Sequence, residues 1–177
     1  YGSELFKIAK DTGQSFSAIA EGAQELARQG LGAEQTLVRL SDAAILSRQS
    51  GLSLSDSVET LTASINSFSK AALTSTEIVN KFANVDAAFA VSSRDLAEAL
   101  KRVGSTADSA GVSLDELIGL VTAAQQQTSR GGAVIGNALK TIFTRLENTS
   151  TINQLRELGV NIDATQTGLQ KLQAIAE

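Results

Sequence analysis

The sequence predicts an all-α fold of several short amphipathic helices joined as αα-hairpins, with a possible duplication of a three-helix unit. Three observations carry that expectation. Proline is absent from the 177 residues, and the 14 glycines are the only strong helix breakers, which favours helices punctuated by glycine turns and leaves strands little support. Apolar residues recur at alternating intervals of four and three along most of the chain, the spacing of one helix face. The stretch Gly111-Val112-Ser113-Leu114-Asp115-Glu116-Leu117 then supplies a mechanical reason for every position of a turn between two such helices. Gly111 can take the left-handed conformation that ends a helix. Ser113 can cap the next helix, Glu116 can return a bond to the Ser113 N–H, and Val112 can staple onto Leu117.

In chain order, residues Glu4 to Lys10 carry Leu5, Ile8 and Ala9 and stop around Asp11-Thr12-Gly13. Ser15 or Ser17 can cap a helix with Phe16, Ile19, Ala23 and Leu26 on one side, closed by Gly30-Leu31-Gly32. Ala33 to Gln49 gives a third helix with Leu37, Leu40 and Ala44 on one face and Val38 and Ile45 beside them. Gly51-Leu52-Ser53-Leu54-Ser55-Asp56 repeats the turn chemistry of Gly111 to Glu116 at an offset of sixty residues, and Leu54, Val58, Leu61, Ile65 and Phe68 continue from it. Thr74 and Glu77 form a capping box for a helix from Thr76 to Phe89.

The central stretch, Ser92 to Leu146, holds the clearest pattern. Leu96, Leu100, Val103, Ala107 and Ala110 share a face before the Gly111 turn, and Leu114, Leu117, Val121 and Ala124 share one after it. Helices joined by so short a link pack as an αα-hairpin. Arg130-Gly131-Gly132 breaks the pattern, and Ile135, Leu139, Ile142 and Leu146 form a third apolar face. A third copy of the turn starts at Gly159-Val160-Asn161-Ile162-Asp163, but Thr165 to Gly168 interrupt any helix there, so a turn or extended segment precedes a last helix from Leu169. The expected division is 1–50 for the N-terminal helices, 51–148 for a helical core with two capped turns, and 149–177 for a C-terminal turn and helix. Glycine breaks recur too often for one unbroken coiled coil.

Composition narrows the function classes. The hydrophobic fraction is 42% while aromatics make up 4%, so Leu, Ile, Val and Ala must build the core. Lys and Arg number 15 against 19 Asp and Glu, a net charge of -4 with the signs interspersed. Without a basic stripe, binding to nucleic acid through phosphate neutralisation is not expected. The chain has no Cys and no His, which excludes disulfides and thiol chemistry and removes the commonest general base and metal ligand. No apolar run reaches the roughly 18 to 20 residues that cross a bilayer. The chain has no Met, starts at Tyr1 and stops at Glu177 inside the pattern Leu169, Leu172, Ala176, so it reads as a piece of something longer.

Each constellation that resembles a site has a better structural explanation. Gly131 and Gly136 have the spacing of a phosphate loop, but Asn137 and Ala138 stand where Lys and Ser or Thr are needed, and Lys140 comes a turn too late. Gly132 and Gly136 instead form a G-x-x-x-G pair that lets another helix approach closely. Ser53 and Ser113 have capping roles, with no histidine or G-x-S-x-G elbow to make either a nucleophile. Asp115 and Glu116 sit in a first helical turn, where the helix dipole favours negative charge. No catalytic, cofactor-binding or metal-binding residue is assigned, and no enzymatic activity or cofactor is expected.

The run LAEALKRVGSTADSAGVSLDELIGLVTAA followed by TSRGGAVIGNALKTIFTRL resembles the core region of phage tail tape-measure proteins of the TP901 type, in which a capped turn precedes a helix that opens on Arg-Gly and carries G-x-x-x-G. The likeness extends upstream through TGQSFSAIAEGAQELARQGLGAEQTL and downstream through LRELGVNID. Such proteins occupy the lumen of a long tail, set its length in assembly and leave ahead of the DNA. The resemblance implies a structural role in the virion tail, assembled in the host cytoplasm. Its implied partners are the chain itself as a homo-oligomer, tail tube and tail-tip proteins, tail assembly chaperones and, after ejection, the host envelope. The small residues Gly132, Gly136 and Ala138 are the expected self-contact, most simply in a cyclic assembly. The rival reading is a membrane-active module that opens a path for DNA entry, although the Lys/Arg-rich polar face of an interfacial helix is missing. A peptidoglycan hydrolase is disfavoured by the absence of His and Cys.

Overall fold

The computed structural model describes residues 1–89 and 91–177, and among them every regular element is helical: α1 (Gly2–Thr12), α2 (Phe16–Arg28), α3 (Ala33–Ser50), α4 (Leu54–Ser67), α5 (Ser75–Ala88), α6 (Ser93–Ser109), α7 (Leu114–Thr128), α8 (Gly132–Leu146), α9 (Thr149–Glu157) and α10 (Gly168–Ala176), with a short 3₁₀ turn at Ser69–Ala71. The chain divides into two compact units, Tyr1–Arg94 and Asp95–Glu177, with the boundary in the first turn of α6. The turns at Gly51 and Asn148 fall inside these units.

In the first unit, α1, α2, α4 and α5 all pack on α3. That helix suits the position because its side chains are small: Thr36, Leu40, Asp42, Ala43, Ala44, Leu46 and Ser47 are buried, a broad face that several neighbours can approach closely. The expected face is corrected here, since Leu37 is half-buried while Val38 and Ile45 are exposed. Its buried polar groups are partnered. Ser75 Oγ donates to Asp42 at 2.6 Å and Thr76 Oγ1 at 2.9 Å, while Ser47 Oγ donates to the Leu52 carbonyl and accepts from Gln14. On α4, the buried hydroxyls of Ser57, Thr60 and Ser64 donate to the carbonyls of Ser53, Asp56 and Thr60, four residues back, so they add contact surface without an unmet donor. Phe16 is exposed rather than part of the α2 face, and Ile65 is half-buried.

In the second unit, Leu96, Leu100, Val103, Ala107 and Ala110 are all buried, as are Leu114, Leu117 and Val121. On α8 the buried stripe is Ile135, Leu139, Phe143 and Leu146, so Phe143 takes the place expected for Ile142, which faces outward. Helix α9 was not expected from the sequence; of its residues only Ile152 is buried. It joins Leu146 and Ile162 in a small cluster, against which Leu155, Val160 and Leu172 pack. The segment after Gly159 is a turn rather than a helix start, because Asp163 Oδ1 accepts from the Thr165 amide at 2.7 Å and from its hydroxyl at 2.5 Å. These bonds hold the Asp163 carboxyl below its ordinary pKa.

The turn chemistry matches expectation. Gly51 and Gly111 both stop helices with φ of 68° and 72°. Ser53, Thr74 and Ser113 accept from the amides of Asp56, Glu77 and Glu116, and Glu77 and Glu116 return the bonds at 2.8 Å. The amide and hydroxyl of Thr74 hold the Glu77 carboxyl below its ordinary pKa. The stability this gives is present above the ordinary glutamate value and is lost as pH falls through the lowered one. Helices α3 and α6 begin sixty residues apart at 33 and 93, as do α4 and α7 at 54 and 114, while the third pair, α5 and α8, begins 57 apart.

At the Gly111 turn, Ser113→Ala is expected to cost about 1 kcal/mol. Gly111→Val is expected to cost more, because φ is 72° and a Cβ would meet Thr167 Cγ2 at 3.3 Å. Urea denaturation midpoints check both, and unchanged midpoints would remove the turn as a determinant of the fold.

Candidate interaction surfaces

In the second unit α8 meets α6 backbone to backbone. Gly132 and Gly136 are buried, and a Cβ at Gly132 would overlap the Asp95 carbonyl group outright. One at Gly136 would stand 2.9 Å from the Cα and carbonyl oxygen of Ala99 and 3.2 Å from Arg102 Cβ. The same crossing is fixed electrostatically. Asp95 Oδ1 accepts from the Gly132 amide at 2.7 Å, and Asp95 Oδ2 accepts from Gln125 Nε2 at 2.6 Å. One carboxylate therefore ties α6 to α7 and caps α8, whose own N-cap residue, Gly131, has no side chain to do so.

The far end of α8 is closed in a similar way. Lys171 on α10 is 2% exposed, and its Nζ donates to the Leu146 carbonyl at 3.1 Å and to Glu147 Oε1 at 3.4 Å. A cation at a helix C-terminus satisfies unpaired carbonyls and the dipole together. Sequence reasoning missed both groups, because isolated Asp and Lys residues read as solvated faces. Ser53, Ser113 and Glu116 serve as helix caps, and Asp115 lies in the first turn of α7. Among the described residues, no group of three or more His, Cys, Asp or Glu is placed to hold a metal ion, and no helix is long and apolar enough to cross a membrane.

The small-residue face expected to join copies is thus corrected in part: Gly132 and Gly136 are consumed inside the chain, and Ala138 alone of the three faces outward. Three other features remain on the surface. On α8, Val134 and Ile142 are exposed on either side of Ala138. A groove between α2 and α4 holds two adjoining hollows of 420 and 390 Å³, which share Glu25, Ser55 and Val58. A wider hollow of 640 Å³ between the Gly159 turn and α10 is lined by Leu158, Val160, Ile175 and neutral amides.

Among the described residues the chain is all-helical, and its buried polar groups are spent on caps, on helix crossings and on bonds along their own helices. Residues 4–177 match the model of the phage-related minor tail protein family. The chain belongs to this family. The chain is also 26% identical over 162 residues to a tape measure protein of Pneumococcus phage Dp-1, a match that covers 90% of this chain and 14% of that protein. The chain thus spans about one seventh of the curated relative it matches. No solved structure matches it. The expected likeness to phage tail tape-measure proteins therefore stands, and membership in this family gives the chain a structural role in a phage tail.

Gly132→Ala should destabilise the chain by about 1–3 kcal/mol, the usual range for overpacking a close contact. Gly119→Ala should stabilise it by just under about 1 kcal/mol, since Gly119 lies inside α7 with open space around it. Denaturation of the two variants side by side checks the contrast; equal effects would mean that α6 and α8 do not meet through Gly132.

Proposed function

We propose that this segment is part of a tape measure, a helical protein that fills the tail lumen, sets tail length during assembly and leaves with the genome at ejection. The carrying observation is the likeness of 162 residues, nearly the whole chain, to a tape measure protein. The physical reading supports it. The caps, the glycine crossing and the buried Lys171 all serve helix packing. The proposed partners are other copies of the chain, tail tube and tail-tip proteins, and tail assembly chaperones. The proposed location is the virion tail, after assembly in the host cytoplasm. The alternative is a membrane-active module that helps form a channel through the host envelope; among the described residues no helix is long and apolar enough to cross a membrane.

The experiment is an in-frame deletion of these residues from the phage gene, with tail lengths measured by electron microscopy. A ruler read out along helices shortens the tail by at most roughly 1.5 Å per deleted residue, roughly 270 Å for the whole segment. Shorter tails of uniform length are expected. Tails of unchanged length would overturn the reading, and leakage of dye from liposomes by the isolated chain would favour the envelope role instead.

A further inference from the structure

We propose that the groove between α2 and α4 receives the outward face of α8 from a second copy of this chain. The proposal rests on the self-association put forward above and names the surfaces that would carry it. The floor of the groove is apolar, made by Gly22, Leu54 and Val58, and small residues at Ala18, Ser55 and Ala63 let a helix backbone settle close to it. The rim is acidic. Glu21, Glu25 and Glu59 line it, and Arg28, the one cation among the lining residues, is already paired with Glu25 at 3.2 Å.

The outward face of α8 is the complement in shape and in charge. Val134, Ala138 and Ile142 follow one another at intervals of four on the exposed side, the spacing by which a helix anchors in a groove. Ala138 at the centre allows close approach. Between Gly132 and Leu146 the helix carries no acidic residue, and the exposed Arg145, three residues beyond Ile142 and seven beyond Ala138, lies on the same side as the stripe. The stripe from Val134 to Ile142 is about 12 Å long and the lined part of α2, from Ala18 to Arg28, about 15 Å, so one fits along the other. The hollow beside α10 has no such complement, because its polar lining is four neutral amides and a single acid, Glu177. Docking of α8 into the α2–α4 groove is a heterologous contact, each copy presenting a different surface, so it builds a ring where the rotation closes and an open row where it does not.

The absence of cysteine from the chain makes a direct test clean. Ser55→Cys marks the middle of the groove and Ala138→Cys the middle of the stripe. The two variants are mixed in equal amounts and treated with a short bismaleimide, beside each variant alone. A covalent dimer is expected in the mixture and not in either variant alone, and it should weaken as salt rises. Placing Arg145→Glu in the stripe partner should abolish it, adding Glu21→Lys and Glu25→Lys to the groove partner should restore it, and Lys140→Glu, on the other side of the helix, should leave it unchanged. All these positions are exposed, and circular dichroism confirms that each variant keeps its helices. Crosslinking of Ala138→Cys with itself would overturn the proposal in favour of a symmetric α8 contact. Association in sedimentation without the mixed crosslink would overturn these surfaces while leaving self-association intact. A chain that stays monomeric at high concentration would overturn both.

Discussion

The second unit depends on one close approach, the passage of Gly132 beneath the backbone of Asp95. No side chain fits between the two helices there, so the crossing of α6 and α8 is set by backbone meeting backbone. The Asp95 carboxylate fixes its register by accepting from the first amide of α8 and from Gln125 on α7. A helix start that lacks a capping side chain of its own, as at Gly131, leaves its first amides unmet unless another element supplies an acceptor. Asp95 supplies it, so the orientation of three helices rests on one residue. Lys171 closes the opposite end of α8 on the Leu146 carbonyl, which leaves that helix held at both termini and along its inner face.

This arrangement decides what is left for partners. The glycines that would most readily join two copies are spent inside the chain, and the exposed side of α8 presents Val134, Ala138 and Ile142 with Arg145. In the first unit the small side chains of α3 do the corresponding work, drawing four helices onto one and leaving an acid-rimmed groove between α2 and α4. Polar residues such as Asp42, Asp95 and Lys171 are spent on joining helices and closing their ends. Membership in the phage-related minor tail protein family accords with that use of sequence.

Local devices were legible in the sequence because their hydrogen bonds close within three or four residues. Ser53, Thr74 and Ser113 each meet an amide three positions on, so the spacing alone contains the geometry. Gly132 and Gly136 could be recognised as a place of close approach, but the helix that approaches is 37 residues distant at Asp95, and no pattern links the two. The exchange of Ile142 for Phe143 on the inner face of α8 follows from one step of rotation, which periodicity resolves poorly. Apolar spacing is also blind to Ser57, Thr60 and Ser64, whose hydroxyls are buried after bonding to their own helix. The buried Lys171 was illegible for the same reason as Asp95, since a lone charged residue reveals its partner only once the chain has folded.

The most direct measurement of this constraint is native-state hydrogen exchange at the Gly132 amide. The first amide of a helix ordinarily lacks an intrahelical partner and exchanges readily. If Asp95 caps α8 in this close crossing, the Gly132 amide will be protected to the level of the core amides of α6 and α8, and Asp95→Ala will remove that protection while the helices persist. Exchange at Gly132 as fast as at an uncapped helix start, in the unaltered protein, would contradict the account.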